Sequence, residues 1–180
     1  MKHLVVFDLD ETLGDFVKLS ELVGRHKPTI QLITLIIDQH PHILRPMLFH
    51  VLDVVKTLKE RGQCTVVLYT NNMGPRLWTS LIKQYIERRM NFKLFDHAIL
   101  GYHLSGGRTT SQKCLRDLLT ITKHPLATQV FFVDDQLHEQ MLGEQVYYFN
   151  IAPYKYMNGD YETTNLLLSH LVHFFKTFRN

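Results

Sequence analysis

The sequence predicts an α/β fold, with a mainly parallel β-sheet flanked by helices. Three short apolar runs that end abruptly in polar residues carry this expectation. They are Leu4-Val5-Val6-Phe7 before Asp8, Val66-Val67-Leu68-Tyr69 before Thr70, and Val130-Phe131-Phe132-Val133 before Asp134. Continuous runs of β-branched and aromatic residues suit strands covered on both faces, as parallel strands are. Stretches with apolar residues at helical spacing lie between the runs, and that alternation implies parallel crossovers.

The elements follow in order. After the first run, the stretch from Asp15 to Arg45 has no clear sheet partner and reads as a loop followed by a helix over Thr29 to Gln39. Pro46 suits a helix first turn; Leu48, Val51, Leu52, Val55 and Leu58 follow at helical spacing until Gly62. Pro75 opens a similar stretch with Leu77, Leu81, Ile82, Tyr85 and Ile86. His97 to Leu100 and Val146 to Ile151 are weaker strand candidates. Gly101 to Thr110 reads as a turn or hairpin around Ser105-Gly106-Gly107. Ser111 is the expected N-cap of a helix with Leu115, Leu118 and Leu119. Asp160 is expected to cap a C-terminal helix over 160–179, whose stripe is Leu167, Leu171, Phe174, Phe175 and Phe178. No repeat, low-complexity tract or linker divides residues 1–180, so one domain is expected.

Composition excludes several classes. A 45% hydrophobic chain of 180 residues with 11 Phe and 8 Tyr is not disordered. Two cysteines, Cys64 and Cys114, do not make a disulfide scaffold. A net charge of +3, spread along the chain, does not indicate nucleic-acid binding. Ile30 to Ile37 is the most apolar stretch, far short of about 20 residues, so no membrane span is expected. With a strand-like run from Leu4, no signal peptide is expected either, and the reading is a soluble intracellular protein.

The chemistry lies where the apolar runs end, because ligands of parallel sheets sit outside the carboxyl ends of the strands. Asp8 and Asp10 are two apart, which on extended chain points both to one side. Asp134 and Asp135 end another run. Four carboxylates at one sheet edge repel one another unless a cation intervenes, and all-oxygen ligation favours Mg²⁺. Singly, each feature has a plainer reading. Asp8 to Thr12 could be an Asp-rich turn, Thr70 could begin a turn with Asn71-Asn72, and Lys113 could be a solvated first-turn lysine. The scattered histidines read as surface or structural, Cys114 as packing, Arg45-Pro46 as helix entry, and Arg108 as touching substrate or nothing.

Asp8-Leu9-Asp10-Glu11-Thr12-Leu13 resembles the first motif of the haloacid dehalogenase (HAD) superfamily, in the Asp-x-Asp-x-Thr form of its phosphatases. Thr70 is similar to the second motif, Lys113 to the third and Asp134-Asp135 to the fourth, in the family's order and over Leu4 to about Ile151. The resemblance implies a Rossmann-like core and a Mg²⁺-dependent phosphatase. Asp8 would be the nucleophile that forms an aspartyl-phosphate, and Asp10 the general acid and then base. Thr70, Asn71 and Lys113 would hold phosphate oxygens, and Thr12 would support the loop. One Mg²⁺ would bind the Asp8 carboxylate, the Asp10 backbone carbonyl and one acidic side chain of the fourth motif. Of Asp134 and Asp135, one is expected to ligate directly and the other to orient it or bind through water.

Within the superfamily, Asp-Leu-Asp-Glu-Thr-Leu is similar to phosphatases that act on the carboxyl-terminal domain of RNA polymerase II. Leu44-Arg45-Pro46 resembles an Arg-Pro-Gly element of that group, although Met47 stands in place of the Gly. Asn71-Asn72 and Asp134-Asp135-Gln136 also depart from that group's pattern. Caps in the superfamily follow the first motif or separate the second from the third. Residues 71–112 are taken up by core elements, so only a short flap or lid over 13–45 is expected. A small lid leaves an open site, which favours a phosphate carried on a larger molecule, a phosphoprotein being one such substrate. The alternatives are a nucleotide or nucleic-acid-end phosphatase and a non-catalytic binding module of the same fold.

Overall fold

The computed structural model describes residues 3–72, 74–103, 107–157 and 159–177. Five strands form one sheet: β1 (His3–Phe7), β2 (Cys64–Tyr69), β3 (His97–Ile99), β4 (Val130–Asp134) and β5 (Val146–Asn150). Their order is β3-β2-β1-β4-β5 and every pairing is parallel. The three apolar runs are the three central strands, the ones buried on both faces. In register, Phe7 lies beside Leu68 on one side and Val133 on the other. The polar residues that follow these three strands therefore emerge side by side.

Alternation along the strands divides the core in two. Val5, Phe7, Val66, Leu68, Phe131 and Val133 face one cluster; Leu4, Val6, Val67, Tyr69, Val130 and Phe132 face the other. The first cluster is covered by α1 (Phe16–Val23), α2 (Ile30–Gln39), α3 (Leu48–Glu60), α4 (Arg76–Met90) and α6 (Tyr161–Thr177). The second is covered chiefly by α5 (Leu115–Thr122) and a short 3₁₀ turn, Glu139–Met141. On the β5 side, Phe131 stacks on Tyr147 at 5.3 Å and meets Phe174 of α6 at 5.2 Å, so the C-terminal helix seals that end of the core.

Several local expectations change. Residues 16–23 form a helix, α1, where a loop was expected; Asp15 caps it by accepting the Lys18 N–H at 2.9 Å. Its apolar spacing, Phe16, Leu19 and Val23, is too short to stand out without the helices it packs on. Pro46 precedes α3 rather than sitting in its first turn, and Met47 enters the helix with φ 56°. Ser111 does not cap α5: Cys114 does, its Sγ accepting from the Asp117 N–H at 3.4 Å. Asp160 caps α6 through the Thr163 N–H. Phe178 and the Ser105-Gly106 part of the expected turn lie outside the described residues. Among the described residues, no helix is long and apolar enough to cross a membrane.

Arg45 is more than a helix-entry residue. It is 2% exposed and donates to the carbonyls of Thr12 (2.7 Å), Glu11 (2.7 Å) and Ala152 (2.8 Å), and to Asp160 (2.6 Å). One planar guanidinium thus ties the turn after β1 to the chain after β5 and to the start of α6. The turn needs such support because Glu11 sits at φ 59°. Gly14, just beyond, is required for space: a Cβ there would fall 2.5 Å from the Ile43 carbonyl oxygen.

Candidate active site

The carboxyl ends of β1, β2 and β4 build one polar cavity of about 190 Å³, lined by Asp8, Asp10, Thr70, Asn71, Asn72, Lys113, Asp134, Asp135, Gln136 and His138. Asp8 is the first residue after β1, and its N–H donates to Val133 O at 3.0 Å, so sheet geometry fixes its position. Lys113 reaches in from the residue before the α5 cap and is 2% exposed. Its ammonium pairs with Asp8 Oδ1 and, at 2.6 Å, with Asp134 Oδ2. The solvated-lysine reading is thereby excluded.

Asp134 is held on several sides. Its Oδ1 accepts the Gln136 N–H at 2.9 Å, and His138 Nε2 lies 3.4 Å from its Oδ2. Asp135 exchanges two bonds with Thr12: the hydroxyl donates to Oδ1 at 3.1 Å and accepts the Asp135 N–H at 3.2 Å. Thr12 therefore ties the turn after β1 to the end of β4. Thr70 is buried, and its hydroxyl oxygen accepts the Asn72 N–H at 3.0 Å; among the described residues its own proton has no acceptor and can be donated to a group in the cavity. Arg108 fixes the strand end beneath it, donating to the Thr70, Leu100 and Ser111 carbonyls. Asn71 lines the cavity, and its Oδ1 is buried without a hydrogen-bond partner among the described residues.

One lysine among four carboxylates sets the electrostatics. Burial pushes Asp8 up to about 7; the neighbouring Asp134 and Asp10 charges add to this and the Lys113 ammonium opposes it. Asp10 is raised, again by burial first, against the lowering effect of the Asn72 amide. Asp134 feels the same burial, yet its bonds from His138, Lys113 and the Gln136 N–H outweigh it and hold it below the usual carboxylate range. Asp135 is raised, mainly by burial and then by Asp134. Lys113 stays charged: burial alone would lower it, and the two carboxylates more than reverse that.

Asp8, Asp134 and Asp135 each offer a carboxylate oxygen within 4.8 Å of the others. An all-oxygen set of this kind fits a hard divalent cation such as Mg²⁺. The Asp10 carboxylate is not in that trio; its Oδ2 accepts from Asn72 Nδ2 at 2.8 Å. The structure brings together every residue the sequence singled out for the site: Asp8, Asp10, Thr70, Asn71, Lys113, Asp134 and Asp135 line the cavity, with Thr12 behind them. Two contributors were not foreseen. Asn72 was read as a turn residue, though its place two after Thr70 was a usable signal. His138 reads in the sequence among the surface or structural histidines; the bend that follows β4 brings its Nε2 to 3.4 Å from Asp134 Oδ2.

No family model matches the chain, and no curated protein matches it significantly in sequence. Solved structures do match. The HAD domain of the effector protein Lem4 from Legionella pneumophila superposes with a TM-score of 0.54 at 13% identity, over 95% of this chain and 94% of that one. An inactive mutant of the same domain gives the same TM-score and identity with both chains fully covered. At this identity the likeness establishes the fold: the five-stranded parallel sheet and its helices form a HAD-type, Rossmann-like core.

Proposed function

We propose that this chain is a phosphatase that hydrolyses phosphate monoesters through an aspartyl-phosphate on Asp8. The observation that carries the reading is the convergence of Asp8, Asp10, Thr70, Lys113, Asp134 and Asp135 on one cavity at the ends of three adjacent strands. An Asp8 carboxylate oxygen attacks phosphorus as the bond to the ester oxygen breaks. Asp10, whose raised pKa favours the protonated form, gives its proton to that leaving oxygen. Asp10 then takes a proton from water, which attacks the aspartyl-phosphate and releases phosphate and the free Asp8 carboxylate. Lys113 neutralises Asp8 and Asp134 and places positive charge where the phosphoryl oxygens gather. The Thr70 hydroxyl and the Asn71 amide, which line the same cavity, would hold those oxygens.

Asp8, Asp134 and Asp135 would hold a Mg²⁺, with the Asp10 carbonyl as a further ligand, and the ion would offset the repulsion between carboxylate and phosphate. The resemblance of Asp8-Leu9-Asp10-Glu11-Thr12 to the Asp-x-Asp-x-Thr motif supports phosphatase chemistry, and its similarity to the RNA polymerase II tail phosphatases favours phosphate carried on a protein. The test is hydrolysis of p-nitrophenyl phosphate by purified protein with and without Mg²⁺, beside Asp8→Asn and Asp10→Asn. Metal-dependent turnover that both substitutions abolish supports the reading. Wild-type activity no greater than that of Asp8→Asn overturns it.

A further inference from the structure

A second cavity, of about 420 Å³, meets the acidic one at Asp10 and Asn72, the two residues that line both. Its walls are more apolar than those of the first, although Ser20 and His26 also line it. Phe16 and Val17 of α1 form one side, and Pro75 with Trp78 at the start of α4 form another. Asp8, Lys113 and Asp134 line only the first cavity. Gly74 lines the second cavity beside Asn72: a Cβ there would come 2.8 Å from Asn72 Oδ1 and 4.0 Å from Trp78 Cδ1.

This division assigns the parts of a substrate. The phosphoryl group belongs with the charged residues, and the ester oxygen belongs at Asp10, which protonates it. The group attached to that oxygen then enters the second cavity. A serine or threonine side chain ends within one or two carbons of the oxygen and would not reach the apolar lining, where Val17 is 54% exposed and the edge of Trp78 closes the wall behind it. A phenol ring is flat, apolar and long enough to reach it, and aromatic rings gain from offset or edge contacts as well as from burial. We propose that the preferred substrates are phosphate esters of phenols, a phosphotyrosine side chain among them, with the ring lodged between α1 and the start of α4. The proposal rests on the roles of Asp8 and Asp10 given above.

Trp78 is the only tryptophan of the chain, so its emission reports on this cavity directly. The experiment titrates the Mg²⁺-supplemented protein with phenylphosphonate and with propylphosphonate, neither of which can be hydrolysed. It also compares kcat/KM for phosphotyrosine and phosphoserine peptides of one sequence, in the wild type, Trp78→Leu and Val17→Asn. Val17 is 54% exposed, so Val17→Asn tests the cavity even where Trp78→Leu fails to fold. Phenylphosphonate is expected to change the emission and to bind at least about tenfold tighter than propylphosphonate. The phosphotyrosine-to-phosphoserine ratio is expected to fall at least about threefold in the variants. Equal affinities, or a ratio unmoved by the variants, overturn the aryl assignment, while hydrolysis of both peptides leaves the phosphatase reading standing. Preferential phenylphosphonate binding without hydrolysis of any ester upholds the cavity assignment and overturns the phosphatase reading.

Discussion

Asn72 donates its side-chain amide to Asp10 Oδ2 at 2.8 Å while its own carbonyl oxygen accepts the Gly74 N–H at 2.7 Å. The second bond fixes which end of the amide faces Asp10, so the candidate general acid meets a donor. A donor to a carboxylate favours its charged form, and here it opposes a burial effect that favours the neutral form.

Replacing Asn72 with Ala removes that opposition. The Asp10 pKa then rises further, and because the acid must be protonated to act, the alkaline limb of the kcat profile moves to higher pH. Turnover at neutral pH is expected to fall by roughly tenfold through lost positioning. A pH–rate series on wild type and variant checks both effects, and a profile that keeps its alkaline limb removes Asn72 from the control of Asp10.

Asp8→Asn should abolish turnover without costing stability at alkaline pH. Asp8 carries a folded pKa raised to about 7, so its contribution to stability is full when it is protonated and is lost as pH rises through that value. The neutral amide escapes this loss. At pH 8 in metal-free buffer, Asp8→Asn is expected to melt at the same temperature as wild type or higher, measured by thermal denaturation.

Lys113→Met acts in the opposite direction. It leaves Asp8 and Asp134 buried without their cation, at a cost of about 3–5 kcal/mol. Asp134, held below its ordinary value of 3.8, supplies stability that is present above that value and lost as pH falls through the folded one. Without the lysine its share of that contribution goes, leaving the bonds from His138 and the Gln136 N–H, and both carboxylates take up protons more readily. The deficit against wild type should therefore be largest near pH 8 and shrink toward pH 5, as urea unfolding at the two values would show.

Mg²⁺ should stabilise the folded chain if the acidic trio holds it. At ten times its dissociation constant the ion would add about 1.4 kcal/mol, a few degrees in melting temperature. Asp135→Asn, which removes one oxygen charge from the trio, should lose most of that gain. Equal shifts in both proteins would place the ion elsewhere.

Arg45→Lys tests the strut. Lysine keeps the charge but cannot reach four acceptors from a planar fork. A loss of about 2–4 kcal/mol is expected, since buried carbonyls and Asp160 are left without partners. Chemical denaturation measures it, and near-wild-type stability would show that water takes over these bonds.

The three central strands and the residues that end them were legible in the sequence, because a strand buried on both faces must be apolar along its whole length and cannot hide. Asp8, Thr70 and Asp134 were visible for the same reason: each interrupts such a run abruptly. Lys113 was legible only through its place in an ordered set of motifs, since nothing local distinguishes it from a solvated lysine. Its burial is decided by α5 packing on the sheet. Helix α1 was missed because eight residues carry too few apolar positions to declare a period, and its stability comes from α2 and the core beneath.

Asn72, His138 and Arg45 lie at the same limit. Their side chains are polar and their neighbours in sequence are turns, so any role depends on partners 62, 4 and 115 residues away. The sequence by itself determined the strands, the order of the motifs and the acidic character of their ends. The tertiary structure decided which carboxylate meets the lysine, which amide meets Asp10, and that a second, more apolar cavity opens beside them. Those are through-space relations, set by parallel register and helix packing rather than by any local run of residues.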